Sequence, residues 1–191
     1  MKQLHTFDEV FDSQKVFRKA LEALSNPGRT LSIAEQSEKL YGEQPGLLAL
    51  AMTLLDASVS FCAPDDAELN ETILLHTHAA PVDAQEADFL FCTRAQNLAA
   101  CIEAAKCGTL ADPHTGATIL VRVPQEESVR VRLSGPGVDG ALETEVPRDV
   151  LAAIRTRNAQ AYEYPQGVDF FFLLPGDAIL AIPRLVRMED V

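Results

Sequence analysis

Tryptophan is absent from this chain, aromatic residues make up only 6% of it, and lysine occurs five times, at Lys2, Lys15, Lys19, Lys39 and Lys106. Against 16 Lys and Arg stand 28 Asp and Glu, a formal charge of −12. That shortage of positive charge excludes a general nucleic-acid binder, which needs a basic stripe to displace phosphate counterions. It equally disfavours docking on anionic lipid. A phosphorylated ligand requires a local basic pocket that reverses the field. Long apolar runs are missing as well: the stretch near Gly46–Leu55 is about half of what a bilayer span needs. The start, Met1 to Glu9, has neither an apolar core nor a small-residue cleavage site, so no leader and no membrane partner are expected. Cys62, Cys92, Cys101 and Cys107 fall at separations of 30, 9 and 6, which match no zinc knuckle and no CxxC pair. They read as reduced core thiols of a cytoplasmic protein. Walker, GxGxxG and GxSxG signatures are all missing.

What is present is an ordinary globular composition, 47% apolar and 23% charged over 191 residues. That length suits one domain, 1–191, with a core large enough to need no staple. Val16, Phe17, Ala20, Leu21 and Leu24 recur at helical spacing and predict a helix over 13–24, capped by Asp12 or Ser13 and stopped at Pro27-Gly28. A strand is expected at 30–33, a buried helix at 46–57 and a strand at 59–63. A helix opened by Asp65-Asp66 reaches about Leu75, and a buried strand covers 87–92. The helix at 94–106 is expected to close on Gly108. Two β-branched runs, 117–123 and 129–133, flank a polar Gln125 to Ser128 and predict a hairpin. Pro147 suits the first turn of a helix to Ala161, and 168–174 with 178–182 form a final hairpin around Pro175-Gly176-Asp177. Strands alternating with helices imply a three-layer α/β/α fold, and the hairpins make its sheet mixed.

The loops carry the polar chemistry. Arg29 follows the rigid Pro27-Gly28 turn, His114 lies in a polar loop from Thr109 to Gly116, and Arg130 and Arg132 share one face of a strand. His76-Thr77-His78 would place two imidazoles on one side of an extended segment, with Asp83 or Glu86 as a further ligand. A pair without spaced partners reads as loop chemistry, so no metal is expected. Lys106 is the lysine best placed for a desolvated Schiff-base amine, although a helix-capping cation accounts for it better.

In this order the segments resemble a known family. Phe17-Arg18, Leu21, Ala23, Ser25 and Pro27-Gly28 are similar to the opening of PhnH proteins of the bacterial carbon–phosphorus lyase system. Leu54-Leu55-Asp56, His76-Thr77, Ala79, Pro81, Ala87, Phe89, Gly108-Thr109, Pro113 and Gly116-Ala117-Thr118 continue the resemblance. Leu133 to Gly137, Tyr164-Pro165, Gly167-Val168-Asp169 and Ala181 to Arg184 complete it over roughly 7–188; no motif is specific alone, but their joint order is. The segment 33–44 and His78 depart from the family pattern.

The resemblance implies a compact fold like that of pyridoxal-phosphate-dependent transferases, a homodimer, and no pyridoxal phosphate or other cofactor. It also implies a core complex with PhnG, PhnI and PhnJ that processes alkylphosphonates. There PhnG, PhnH and PhnI serve the step in which phosphonate displaces adenine from ATP, giving ribose 1-phosphonate 5-triphosphate. PhnI is regarded as the catalytic centre, and PhnJ cleaves the C–P bond. Two roles follow for this chain. One is assembly, holding partner subunits in geometry without bond-making; the apolar 170–172 run is a surface a dimer could bury, although a plain core strand accounts for it better. The other is a cleft for ATP or a ribose triphosphate, with Arg29, Arg132 and Arg184 on phosphate and His76 or His114 as proton carriers. A free-standing enzyme is disfavoured because no complete site assembles from the sequence.

Overall fold

A computed structural model describes residues 5–124 and 127–191. Helix α1 (Phe11–Ser25) leads to strand β1 (Thr30–Ser32), the short α2 (Ala34–Ser37), α3 (Pro45–Leu54) and β2 (Ser60–Cys62). Then come α4 (Ala67–Thr77), β3 (Ala80–Pro81), β4 (Phe89–Cys92), α5 (Leu98–Ala104) and β5 (Thr118–Arg122). The chain finishes with β6 (Ser128–Ser134), β7 (Leu142–Pro147), α6 (Arg148–Asn158), β8 (Asp169–Leu174), β9 (Ala178–Ile182) and β10 (Arg187–Asp190).

The main sheet runs β1-β9-β8-β5-β4-β2-β3. Its strands β3, β2, β4, β5 and β8 are parallel, while β9 runs antiparallel to β8 and β1, so the sheet is mixed as expected. Rows of side chains cross it in register. Phe91, Leu120, Phe171 and Ala181 form one row; Leu90, Ile119, Phe170 and Ile182 form the adjacent one. Because side chains alternate faces along a strand, the two rows point to opposite sides. The first joins a core with Val16 and Ala20 of α1, Leu47 and Leu50 of α3 and Ile73 of α4. The second joins Ile102 of α5 and Leu151 and Ile154 of α6. Helices therefore cover both faces of the sheet.

The expected hairpin of 117–123 with 129–133 does not form. Strand β5 pairs with β4 and β8 in the main sheet, whereas β6 lies in a separate sheet ordered β10-β6-β7. The reason is in their patterns. Ile119, Leu120 and Val121 are apolar in succession and buried on both faces, as a central strand must be. Strand β6 alternates buried Val131 and Leu133 with exposed Arg130 and Arg132, which suits a sheet wet on one side. Gln125 and Glu126 of the expected turn lie outside the described residues.

Other expectations change in detail. Asp12 does not cap α1; it is 2% exposed inside the helix. Asp8 caps instead, its Oδ1 accepting from the Val10 and Phe11 N–H groups at 2.9 and 2.7 Å. The helix expected at 94–106 is shorter: residues 95–97 form a 3-10 turn and α5 ends at Ala104, so Gly108, at φ 78, serves a later turn instead of a C′ position. Lys106 caps nothing; its Nζ lies 2.5 Å from Asp88 Oδ1. The sequence pattern does not mark strands β3, β7 and β10 or helix α2. Strand β7 does alternate, Leu142, Thr144 and Val146 with Glu143 and Glu145, but the run is short and bears two acids.

Candidate functional site: an arginine-lined cleft

At the edge of the main sheet where β5 and β8 begin and β9 ends, four loop segments are tied together. Asp169 opens β8, and its N–H donates to the Ala117 carbonyl at 3.2 Å. Its Oδ1 accepts the Arg184 backbone N–H at 2.7 Å and its Oδ2 accepts Arg184 Nε–H at 3.0 Å and Nη2. Arg184 Nη1 donates to the Pro113 carbonyl. Gly167 N–H reaches the Cys107 carbonyl at 2.9 Å, and Gln166 Nε2 the Gly108 carbonyl at 3.0 Å. Small residues allow this closeness: a Cβ on Gly116 would stand 2.4 Å from the Gly167 carbonyl oxygen, nearer than any real Cβ contact.

Beside this knot opens a cleft of about 680 Å³. Arg157, Arg184 and Arg187 line it with Tyr162, Tyr164 and Gln166, and one acid, Glu189, faces them. Arg157 belongs to the last turn of α6 and is 2% exposed. Burial pulls its guanidinium down to about 10, against the opposing pull of Asp169, so it stays charged at neutral pH. Burial also pushes the Tyr162 phenol up, helped by the Cys107 sulfur and opposed by Arg157. Tyr164 is 81% exposed and precedes a cis Pro165. A pocket of this size with convergent polar groups is the usual form of a small-molecule site.

The five residues singled out from the sequence are not brought together. Arg184 lines the cleft; the others do not. Arg29 pairs with Glu22 at 2.5 Å and Arg132 with Glu143 at 3.0 Å, both on exposed surface. His114 is exposed on the 3-10 turn of 113–115, beside the Pro113 that Arg184 holds. His76 and His78 do not flank an extended segment: His76 lies in the last turn of α4 and His78 caps it at φ 59. Their rings diverge, since a helical end does not alternate as a strand does. His76 instead meets His5 edge-on at 5.0 Å, and His5 stacks on Tyr41 at 5.6 Å. Among the described residues, no three His, Cys, Asp or Glu side chains gather as a metal-binding group. All four cysteines are free; the Cys92 thiol donates to the Arg94 carbonyl at 3.2 Å, and its neighbour Cys101 together with burial pushes Cys92 up, while Cys92 holds Cys101 down against burial. No helix among the described residues is long and apolar enough to cross a membrane.

Arg157 and Arg187 escaped the sequence reading because nothing local marks them. The segments around them did carry a signal: the Gly108, Pro113–Gly116, Gly135-Pro136, Tyr164–Asp169 and Pro183-Arg184 motifs all converge here. A family model described as bacterial phosphonate metabolism protein (PhnH) matches residues 5–189. The chain belongs to the PhnH family. Two relatives agree. HtxG of Stutzerimonas stutzeri, named as a C-P lyase subunit protein, is 28% identical over 178 residues, 92% of this chain and 85% of its own. The alpha-D-ribose 1-methylphosphonate 5-triphosphate synthase subunit PhnH of Rhizobium meliloti (strain 1021) is 27% identical over 190 residues, 95% of this chain and 92% of its own. Of the segments that carry the resemblance, Gly135-Pro136, Tyr164 and Arg184 line the cleft.

Proposed function

We propose that this PhnH-family chain is a subunit of a C-P lyase assembly in phosphonate catabolism, serving the formation of ribose 1-methylphosphonate 5-triphosphate that its relative is named for. Its main role is assembly. It acts as one cytoplasmic domain with a compact transferase-like fold, as a homodimer and beside PhnG, PhnI and PhnJ, and without pyridoxal phosphate. The observation that carries this reading is α1. One side of that helix buries Val16, Ala20 and Ala23, yet Phe11, Phe17 and Leu21 on the other are 68%, 49% and 52% exposed, with Val10 beside them at 70%. A helix that is apolar on both sides leaves a row of large side chains in water unless a partner covers it. The other apolar surface considered, Phe170-Phe171-Phe172, is buried in the core of the chain itself.

The test is co-purification with PhnG, PhnI and PhnJ. The wild-type chain is expected to co-purify, and the Phe17→Ser/Leu21→Ser double variant to lose its partners while its own melting temperature moves little. Failure of the wild-type chain to co-purify would remove the reading. A second reading, a cleft that binds a nucleotide or triphosphate and helps transfer directly, rests on one observation. Three arginines and a single glutamate line this cleft of about 680 Å³ in a chain whose net charge is −12.

A further inference from the structure

The cleft holds a buried guanidinium, that of Arg157, which forms no ion pair among the described residues. Of the five N–H groups on a guanidinium, Arg157 commits three to neutral oxygens. Nε–H donates to Asn158 Oδ1 at 3.3 Å, Nη1 to the Pro183 carbonyl at 3.0 Å and Nη2 to the Val186 carbonyl at 2.6 Å. The remaining two have no partner among the described residues. The group lies 5.9 Å above the Phe170 ring. The nearest source of negative charge, Asp169, already gives both carboxylate oxygens to Arg184. A structural role accounts for the two carbonyl contacts, which pin the 183–186 turn to α6. It leaves two N–H groups of a buried cation uncommitted, and an anion that took them would further offset the desolvation already met by the carbonyls and the Phe170 ring.

The rest of the lining extends the argument. Arg187 stands at the rim, exposed, and forms no ion pair among the described residues. Arginine forks match phosphate oxygens two at a time and are weakly hydrated, so they favour phosphoryl groups over simple halides. The cleft volume of about 680 Å³ is far more than inorganic phosphate fills. The Tyr164 ring, 81% exposed at the mouth, offers a flat apolar surface to an attached sugar or base.

We propose that this cleft is a receptor for a phosphoryl or phosphonyl dianion carried on an organic body, with Arg157 and Arg187 taking the oxyanion and Tyr164 covering the organic part. The proposal rests on the second reading above and specifies its residues. Its test is calorimetry on the full chain at low salt, with inorganic phosphate, methylphosphonate, ribose 5-phosphate and ATP as probes. All four are expected to compete for one site, and ribose 5-phosphate and ATP to bind on the order of tenfold more tightly than phosphate. Arg187→Gln, an exposed change, is expected to weaken every probe about tenfold, the loss of one charged hydrogen-bonding pair, with an unchanged melting temperature. Tyr164→Ala is expected to weaken ribose 5-phosphate and ATP but not phosphate. Arg157→Lys, which keeps the charge and loses the fork, is expected to weaken all of them. No heat from any probe at millimolar concentration overturns both the receptor and the nucleotide reading. ATP binding that neither arginine change alters overturns the receptor alone. Phosphate and methylphosphonate binding that the arginine changes weaken, with no response to ATP, supports the receptor and removes the nucleotide reading.

Discussion

Asp12 is 2% exposed within α1, where its carboxylate accepts the Asp8 N–H at 2.9 Å and the Lys39 ammonium at 2.8 and 2.9 Å. Burial pushes this carboxyl up, but the Asp8 N–H and Lys39 together outweigh it and hold the group below the usual carboxylate range. A carboxyl depressed in the folded state contributes stability above the unfolded value of about 4 and loses it as pH falls through the folded value. Lys39 is raised by its bond to Asp12 against burial, so its share is present below about 10.4 and fades as pH climbs past the folded value. Asp12→Asn is expected to cost about 1–3 kcal/mol at neutral pH and to flatten the acid limb of a urea-midpoint profile below about pH 4. An unchanged acid limb would show that Asp12 is not a source of acid sensitivity. Gly116→Ala tests the cleft wall: its Cβ would meet the Gly167 carbonyl at 2.4 Å and Arg184 Nη1 at 2.9 Å. Backbone must shift to admit it, and a loss of about 1–3 kcal/mol is expected, read as a lowered denaturation midpoint.

Among the elements, β8 carries the most. Its Phe170 and Phe172 stack at 5.1 Å on one face of the main sheet, while Phe171 enters the opposite core. Phe171→Ala is expected to cost about 3–5 kcal/mol, measured by urea unfolding, because it empties the α1–α3 core without touching the cleft. Ligand-binding heat, where present in the wild type, is expected to survive in the folded variant. Much of this level was legible from sequence, since Phe170–Leu174 is a continuous apolar run and Ala178–Ile182 follows a Pro-Gly-Asp turn. The register of β5 was not. Its unbroken Ile119-Leu120-Val121 run fits a strand buried on both faces, but nothing local names β4 and β8 as its neighbours.

Taken whole, the molecule is strongly acidic, yet arginines gather in some of its concavities. A net charge of −12 repels itself in the compact state, so added salt is expected to raise the melting temperature by a few degrees through screening. A melting temperature that falls between about 0.02 and 0.5 M sodium chloride would mean that attractive pairs, such as Lys106–Asp88, outweigh the repulsion. The −12 also sharpens the cleft: Arg157 and Arg187, neither in an ion pair among the described residues, stand there beside the Asp169-bound Arg184. By itself the sequence determined the α/β class, the mixed sheet, the acidity and the family, because periodicity, turns, charge and motif order are properties of the chain read in line. Only the tertiary structure decided the division into two sheets and the meeting of Arg157, Arg184 and Arg187, which come from the end of α6 and from either side of the last turn before β10. Their proximity is set by how α6 packs over the Phe170 face of the sheet, a long-range arrangement that no local pattern encodes.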